Sequence, residues 1–233
     1  MNRKARIAGG AALVAAAAVA AYPVPLRRWY LTWGARCDEV DRVLPGDDLL
    51  PEPDILSTRA ISIVAPPAAV WPWLVQMGSG RGGAYTYDWI ENLLGLGMHS
   101  ADRILPQFQR LEVGDMLPVG PRGPGMRAEI VDAERTLVFR SEDGSWVWIF
   151  ALFVENGETR LVSRNRIATP GASTAGRLVN RWVMEPGSLV MERKMLIGIK
   201  QRAEAFAPTI TAASAPVSGA GVPANRLADI TEA

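Results

Sequence analysis

The chain is poor in the residues that carry most metal and redox chemistry. Its 233 residues include one cysteine, Cys37, and one histidine, His99. No intrachain disulfide can form, so the fold does not rely on oxidation. A zinc site of the usual Cys/His type would lack its ligands, and no metal is expected. An excess of charge of either sign is missing as well: 25 basic residues stand against 24 acidic ones, a net charge of +1. No basic block or arginine-rich run stands out, which argues against nucleic acid as a partner. There is no internal repeat, no complete catalytic motif and no sign of a cofactor.

What the chain does have is apolar mass. Hydrophobic residues make up 48% of it, enough for a real core in one domain of ordinary size plus extensions. Arg3, Lys4 and Arg6 precede an apolar run, Ile7 to Tyr22, which is broken by Pro23 and Pro25. Basic-then-apolar order suits a membrane anchor, the preferred reading for residues 1–28. It also suits a cleaved signal peptide, with Ala18-Val19-Ala20 as the processing site and secretion as the outcome. A soluble alanine-rich helix is the bland third reading, because the run is slightly short for a span of about 20 residues. Arg27 and Arg28 follow the run, so the charges set no orientation. From 207 onward the chain is rich in Ala, Pro, Ser, Thr and Gly, and 207–233 reads as a disordered tail. The folded domain is expected over 29–206.

Within that domain the pattern predicts a short helix at Cys37–Val43 and a β-branched strand at Thr58–Val64. Pro66-Pro67 opens a short helix through Val75, with Pro72 inside it. GSGRGG at 78–83 is a loop, and Tyr87–Leu96 is a second helix. Strands follow at Val113–Val119, Arg127–Asp132, Thr136–Ser141, Trp146–Val154 and Thr159–Ile167. The turn signals Asp143-Gly144 and Asn156-Gly157 separate the later ones. Close spacing makes this an antiparallel meander rather than a βαβ series. The last element is a long helix, interrupted at Pro186-Gly187 and stopped by Pro208. Met191, Met195, Ile199, Ala203 and Phe206 form its apolar stripe.

The segments AISIVAPPAAVWPWLVQMG and EPGSLVMERKMLIGIKQRAE resemble a bacterial branch of the START-like (SRPBCC) superfamily. That superfamily holds polyketide cyclases/dehydrases and lipid-transport domains. The resemblance covers about Ala35 to Phe206. It implies an α+β helix-grip fold, in which a curved antiparallel sheet wraps around the long C-terminal helix and leaves a cavity between them. It implies no catalytic residues, because the superfamily shares none, and fold analogy alone does not give function.

The richest stretch is Pro66–Pro106, which gathers aromatic bodies and a few polar tips, the usual lining of a small-molecule pocket. Candidate ligand-binding residues are Trp73, Arg81, Tyr85, Tyr87, Asp88 and His99, with Trp146 and Trp148 from the meander and Met191 and Met195 from the last helix. For Trp146, Trp148, Met191 and Met195, plain core is the competing reading. A helical MHSADR would place His99 and Asp102 on one face, and with Tyr87 these are weak candidates for proton transfer. GSGRGG lacks the Lys-Ser/Thr of a phosphate loop and reads as a connector. Arg160, Val162, Arg164 and Arg166 share a strand face. Facing outward the arginines would be solvated, and facing inward one could hold a carboxylate or phosphate. Glu192-Arg193-Lys194 reads as the wet side of the last helix.

The expected function is binding of a hydrophobic small molecule or lipid in that cavity. The alternatives are a cyclase/dehydratase-type enzyme, or an envelope-associated interaction protein with a filled core. Whether the chain is an enzyme stays open, as does its oligomeric state.

Overall fold

The computed structural model describes residues 23–121 and 125–214. The apolar run Ile7–Tyr22 and residues 215–233 lie outside the described residues. Helix α1 is Pro23–Leu31, followed by α2 at Cys37–Asp41, a 3-10 turn at Asp47–Leu49 and strand β1 at Ile55–Ile63. Helices α3 (Pro67–Val75) and α4 (Asp88–Leu93) come next. The meander is β2 (Met116–Pro118), β3 (Gly125–Asp132), β4 (Thr136–Ser141), β5 (Trp146–Glu155) and β6 (Glu158–Ile167). The chain closes with α5 (Thr174–Val179), a π-helical turn (Asn180–Met184) and α6 (Glu185–Ser214).

One six-stranded antiparallel sheet runs in the order β1-β6-β5-β4-β3-β2. Asn156 and Gly157 take φ of 51° and 83°, the left-handed pair that a two-residue hairpin needs. The register shifts between Ala128 and Ile130, a bulge that bends β3. On the concave face, Ile63, Leu137, Phe139, Phe150 and Leu161 pack against Trp73 and Leu74 of α3 and Leu196 and Ile199 of α6. This is the helix-grip fold.

The long helix follows expectation at its start and departs from it at its end. The interruption expected at Pro186-Gly187 is there: a π turn ends at Met184, and Pro186 sits in the first turn of α6. Proline lacks an N–H, and its ring crowds the carbonyl four residues back, so the turn before it widens into the π form and the helix carries on. Helix α6 runs past Pro208 to Ser214. In the other direction, α4 ends at Leu93, short of Leu96, because Gly95 and Gly97 adopt positive φ. Helix α1 begins before residue 29 and belongs to the domain: Arg27 pairs with Glu185 at 2.8 Å, and Tyr30 and Leu31 are buried.

The arginine face of β6 turns away from α6, yet it is not solvated. The segment around α2 and the 3-10 turn lies over it. Arg160 donates to both oxygens of Glu39 at 2.7 and 2.8 Å. Arg164 donates to Asp47, Thr58 Oγ1 and the carbonyls of Glu39, Val40 and Arg42. Arg166 reaches Asp47 and the carbonyls of Leu50 and Pro51. The buried arginines thus hold their own cover in place, and Leu44, Ala60, Val138, Ile149 and Val162 fill the layer between. Burial pushes the Glu39 carboxyl up, but the hydrogen bonds from Arg160 and from the Arg36 N–H outweigh it and hold it below the usual range. The stability Glu39 supplies is therefore present above the ordinary carboxylate range and lost as pH falls through its lower folded value.

Gly198 marks the tightest approach on α6. A Cβ there would stand 2.6 Å from the Tyr85 carbonyl oxygen and 2.9 Å from the Tyr85 Cβ. Tyr85 is already left-handed, with φ of 58°, so that backbone has little freedom to retreat. Gly198→Ala should cost about 1–3 kcal/mol by overpacking. Gly187→Ala, on the same helix with nothing within 4 Å, should be neutral or stabilising. Thermal melts of the two variants check the pair, and equal melting temperatures would refute the close-approach argument.

Candidate functional site

The concave face carries a buried polar cluster where β1, β5, β6 and α6 meet. The alternation of β6 sends Ser163 and Asn165 to this face, opposite its arginines. Arg59 projects from β1 and Glu192 from α6, and the two form an ion pair. Ser163 Oγ donates to Glu192 Oε1 at 2.7 Å, and the Asn165 amide donates to both carboxylate oxygens at 3.2 Å. Arg59 also donates to the Tyr30 carbonyl at 3.0 Å and to Ser188 Oγ at 2.9 Å. Arg59 is fully buried, and Glu192 is 7% exposed. Burial pushes the Glu192 carboxyl up, with Arg59 and Ser163 opposing the shift.

Two tryptophans of β5 flank this cluster. Trp148 Nε1 donates to Ser163 Oγ at 3.0 Å, and Trp146 Nε1 donates to Asn165 Oδ1 at 2.8 Å. The two indoles stack, 5.6 Å between centroids and 21° between planes. Phe150 continues the row 4.7 Å from Trp148 and is fully buried. Both indoles remain half-buried, so the row runs from the core toward solvent.

The residues of the Pro66–Pro106 stretch mostly serve the fold. Trp73 is buried, and its indole N–H has no acceptor among the described residues. Tyr85 donates to the Trp73 carbonyl at 2.9 Å, and the Arg202 guanidinium lies over its ring. Arg81 donates to the carbonyls of Val75, the last residue of α3, and of Met77 just after it, and stacks on Phe108. Asp88 accepts from the Ser100 N–H and hydroxyl. Tyr87 faces Lys194 of α6, 5.7 Å from the ring centre. Residues 98–103 are not helical, so His99 and Asp102 share no helix face. His99 is exposed, and Asp102 pairs with Arg202 at 2.6 Å. The GSGRGG loop is a closed reversal. The N–H groups of Gly78, Ser79, Arg81, Gly82 and Gly83 all bond within the chain, so they are not available to an anion. Met195 is buried and Met191 half-buried.

Sequence reasoning missed Arg59, Ser163, Asn165, Ser188 and Glu192. A signal was there: Glu185, Ser188, Glu192, Leu196 and Ile199 recur at helical spacing and share a face. Two glutamates on a core stripe call for buried partners, and Arg27 and Arg59 supply them. Apart from this site, a groove of about 700 Å³ is lined by Arg42, Val43, Glu134, Phe153 and Val154, among others. A hollow of about 250 Å³ lies at Ser62, Asn156 and Arg160. Neither touches Trp146, Trp148 or Glu192.

No protein-family model and no curated protein matches the chain. Solved structures do. The KanY protein is similar at 14% identity and a TM-score of 0.42, over 64% of this chain and 97% of that one. A polyketide cyclase-like protein from Corynebacterium glutamicum is similar at 15% identity and a TM-score of 0.33, over 70% and 95%. CalU16 from Micromonospora echinospora is similar at 13% and 0.32, over 67% and 88%. At these identities the likeness concerns the fold alone.

Proposed function

We propose that the concave face between β5, β6 and α6 binds a small, largely apolar molecule bearing one hydrogen-bonding group, a lipid or an aromatic compound. The observation that carries this reading is the stacked, half-buried pair Trp146 and Trp148 beside a carboxylate held still by three donors. Flat indoles offer apolar area at little entropic cost, and the polar cluster fixes orientation. Arg59, Ser163 and Asn165 all donate to Glu192, which suits an acceptor of fixed position.

The test is a titration of the full chain with 1-anilinonaphthalene-8-sulfonate and with a long-chain fatty acid, followed by fluorescence and calorimetry. Binding should carry a negative heat-capacity change. Trp148→Ala should weaken affinity at least about tenfold, near 1.4 kcal/mol, when measured below the variant's own melting point. Trp89→Ala, at a residue 70% exposed on α4, should leave affinity unchanged. Absence of saturation by either ligand at micromolar concentration would overturn the reading, as would an equal loss in both variants.

A further inference from the structure

A second surface lies across α1, α5 and the π turn. Leu26 and Trp29 are exposed on one side of α1, at 39% and 56%. Leu178, Val179, Trp182 and Val183 are between 51% and 60% exposed across α5 and the π turn. Their spacing of one, three and one residues places them on one helical face. The two elements lie together: the Tyr30 hydroxyl reaches the Arg181 carbonyl, and Arg27 pairs with Glu185. A soluble domain rarely leaves two tryptophans and four aliphatic side chains grouped and wet.

The surroundings of this surface are basic. Arg28, Arg177 and Arg181 are exposed along it. Helices α1 and α5 and the π turn contain no acidic residue, and Glu185, the first residue of α6, is occupied by Arg27 and Tyr30. Tryptophan beside arginine at the edge of an apolar face is the composition that rests at the headgroup level of a bilayer. The position of the surface adds a second argument. The apolar run Ile7–Tyr22 ends at the residue before α1, so whatever holds that run holds this face within a few residues of it.

We propose that α1, α5 and the π turn form a face that lies on an anionic lipid surface, with Trp29 and Trp182 at headgroup depth. The domain would then not hang freely from its N-terminal run. It would lie against the bilayer, held by apolar contact and by arginine–headgroup attraction together.

The experiment uses the full chain reconstituted into vesicles of phosphatidylcholine and phosphatidylglycerol in a ratio of about two to one. Cys37 is exposed and is first replaced by serine. A single cysteine is then placed at Trp182, or at Glu134 on the β3–β4 turn, and labelled with an environment-sensitive fluorophore. Both positions are exposed, so folding is not at stake. Spin-labelled lipids should quench the label at 182 at least about twofold more than the label at 134, and more weakly in vesicles without phosphatidylglycerol. Four outcomes overturn the proposal. Equal quenching at both positions would show nonspecific association. No quenching at either would show a domain held away from the surface. Disulfide cross-linking between copies at 182 in detergent would assign the face to a second copy of the chain. Cross-linking of 182 to a cysteine placed in Ile7–Tyr22 would assign it to that segment.

Discussion

Glu192→Ala is expected to remove about 3–5 kcal/mol of unfolding free energy, the cost of leaving a buried charge unpaired. Arg59 is fully buried, and its remaining partners, the Tyr30 carbonyl and Ser188 Oγ, are neutral. Ser163 and Asn165 lose their common acceptor in the same step. Glu192→Gln keeps the shape but turns one oxygen into a donor facing donors, so it should recover only part of the loss. Arg59→Met combined with Glu192→Leu should recover most of it, because a hydrophobic pair of similar volume removes the desolvation penalty along with the attraction. Denaturant titration at neutral pH measures all four chains. A Glu192→Ala chain within about 1 kcal/mol of the parent would mean that water or a rearranged side chain compensates Arg59. The double variant also separates stability from binding: it should fold, yet lose the orienting group of the proposed ligand site.

Arg164→Ala should cost a similar amount, about 3–5 kcal/mol, by a different route. All three of its guanidinium nitrogens donate, and three of its acceptors are backbone carbonyls at Glu39, Val40 and Arg42. Burial pushes this guanidinium down, opposed by Asp47. Truncation strands those carbonyls and half-frees Asp47, which keeps Arg166 and the Leu44 N–H. Lysine cannot replace it: three donors from one point do not span the fork, so Arg164→Lys should regain only a fraction. Limited proteolysis should cut first within 36–53, before the sheet unfolds. Unchanged protease resistance together with an unchanged melting point would refute the role of Arg164 in holding that segment.

The strands were legible because their signals are local. Asn156-Gly157 fixes a hairpin by its own dihedrals, and Trp146–Val154 alternates against a patterned neighbour. The wrap of the sheet around the last helix came from resemblance to a superfamily, and the structure bears it out. The polar interior was not legible, because its pairings are distant in sequence. Arg59 meets Glu192 and Arg160 meets Glu39 only after the sheet has closed. Alternation showed that the β6 arginines share a face, but not that a proline-rich lead-in would cover it. Glu192 was read with its charged neighbours Arg193 and Lys194, when its phase on the helix belongs with Leu196 and Ile199. The Gly-rich stretch between Pro66 and Pro106 is a different case. Its aromatic and charged residues are real neighbours, but most of their polar atoms are spent on backbone groups.

The strand order also sets a schedule for assembly. Strands β3 to β6 join sequential neighbours and can pair as each leaves the ribosome. The first strand cannot, because its only sheet neighbour is the last one made. Until β6 emerges, Glu39 waits without Arg160, Asp47 waits without Arg164 and Arg166, and β1 waits with an open edge. If the N-terminal run engages a membrane during that interval, the nascent chain is tethered at one end while its long-range contacts are still missing. Contacts of high sequence separation form slowly. Closure of β1 onto β6 therefore joins the two ends of the sheet in one late event, which completes the arginine cover on one face and, on the other, sets Arg59 beside Ser163 to receive Glu192 when α6 docks.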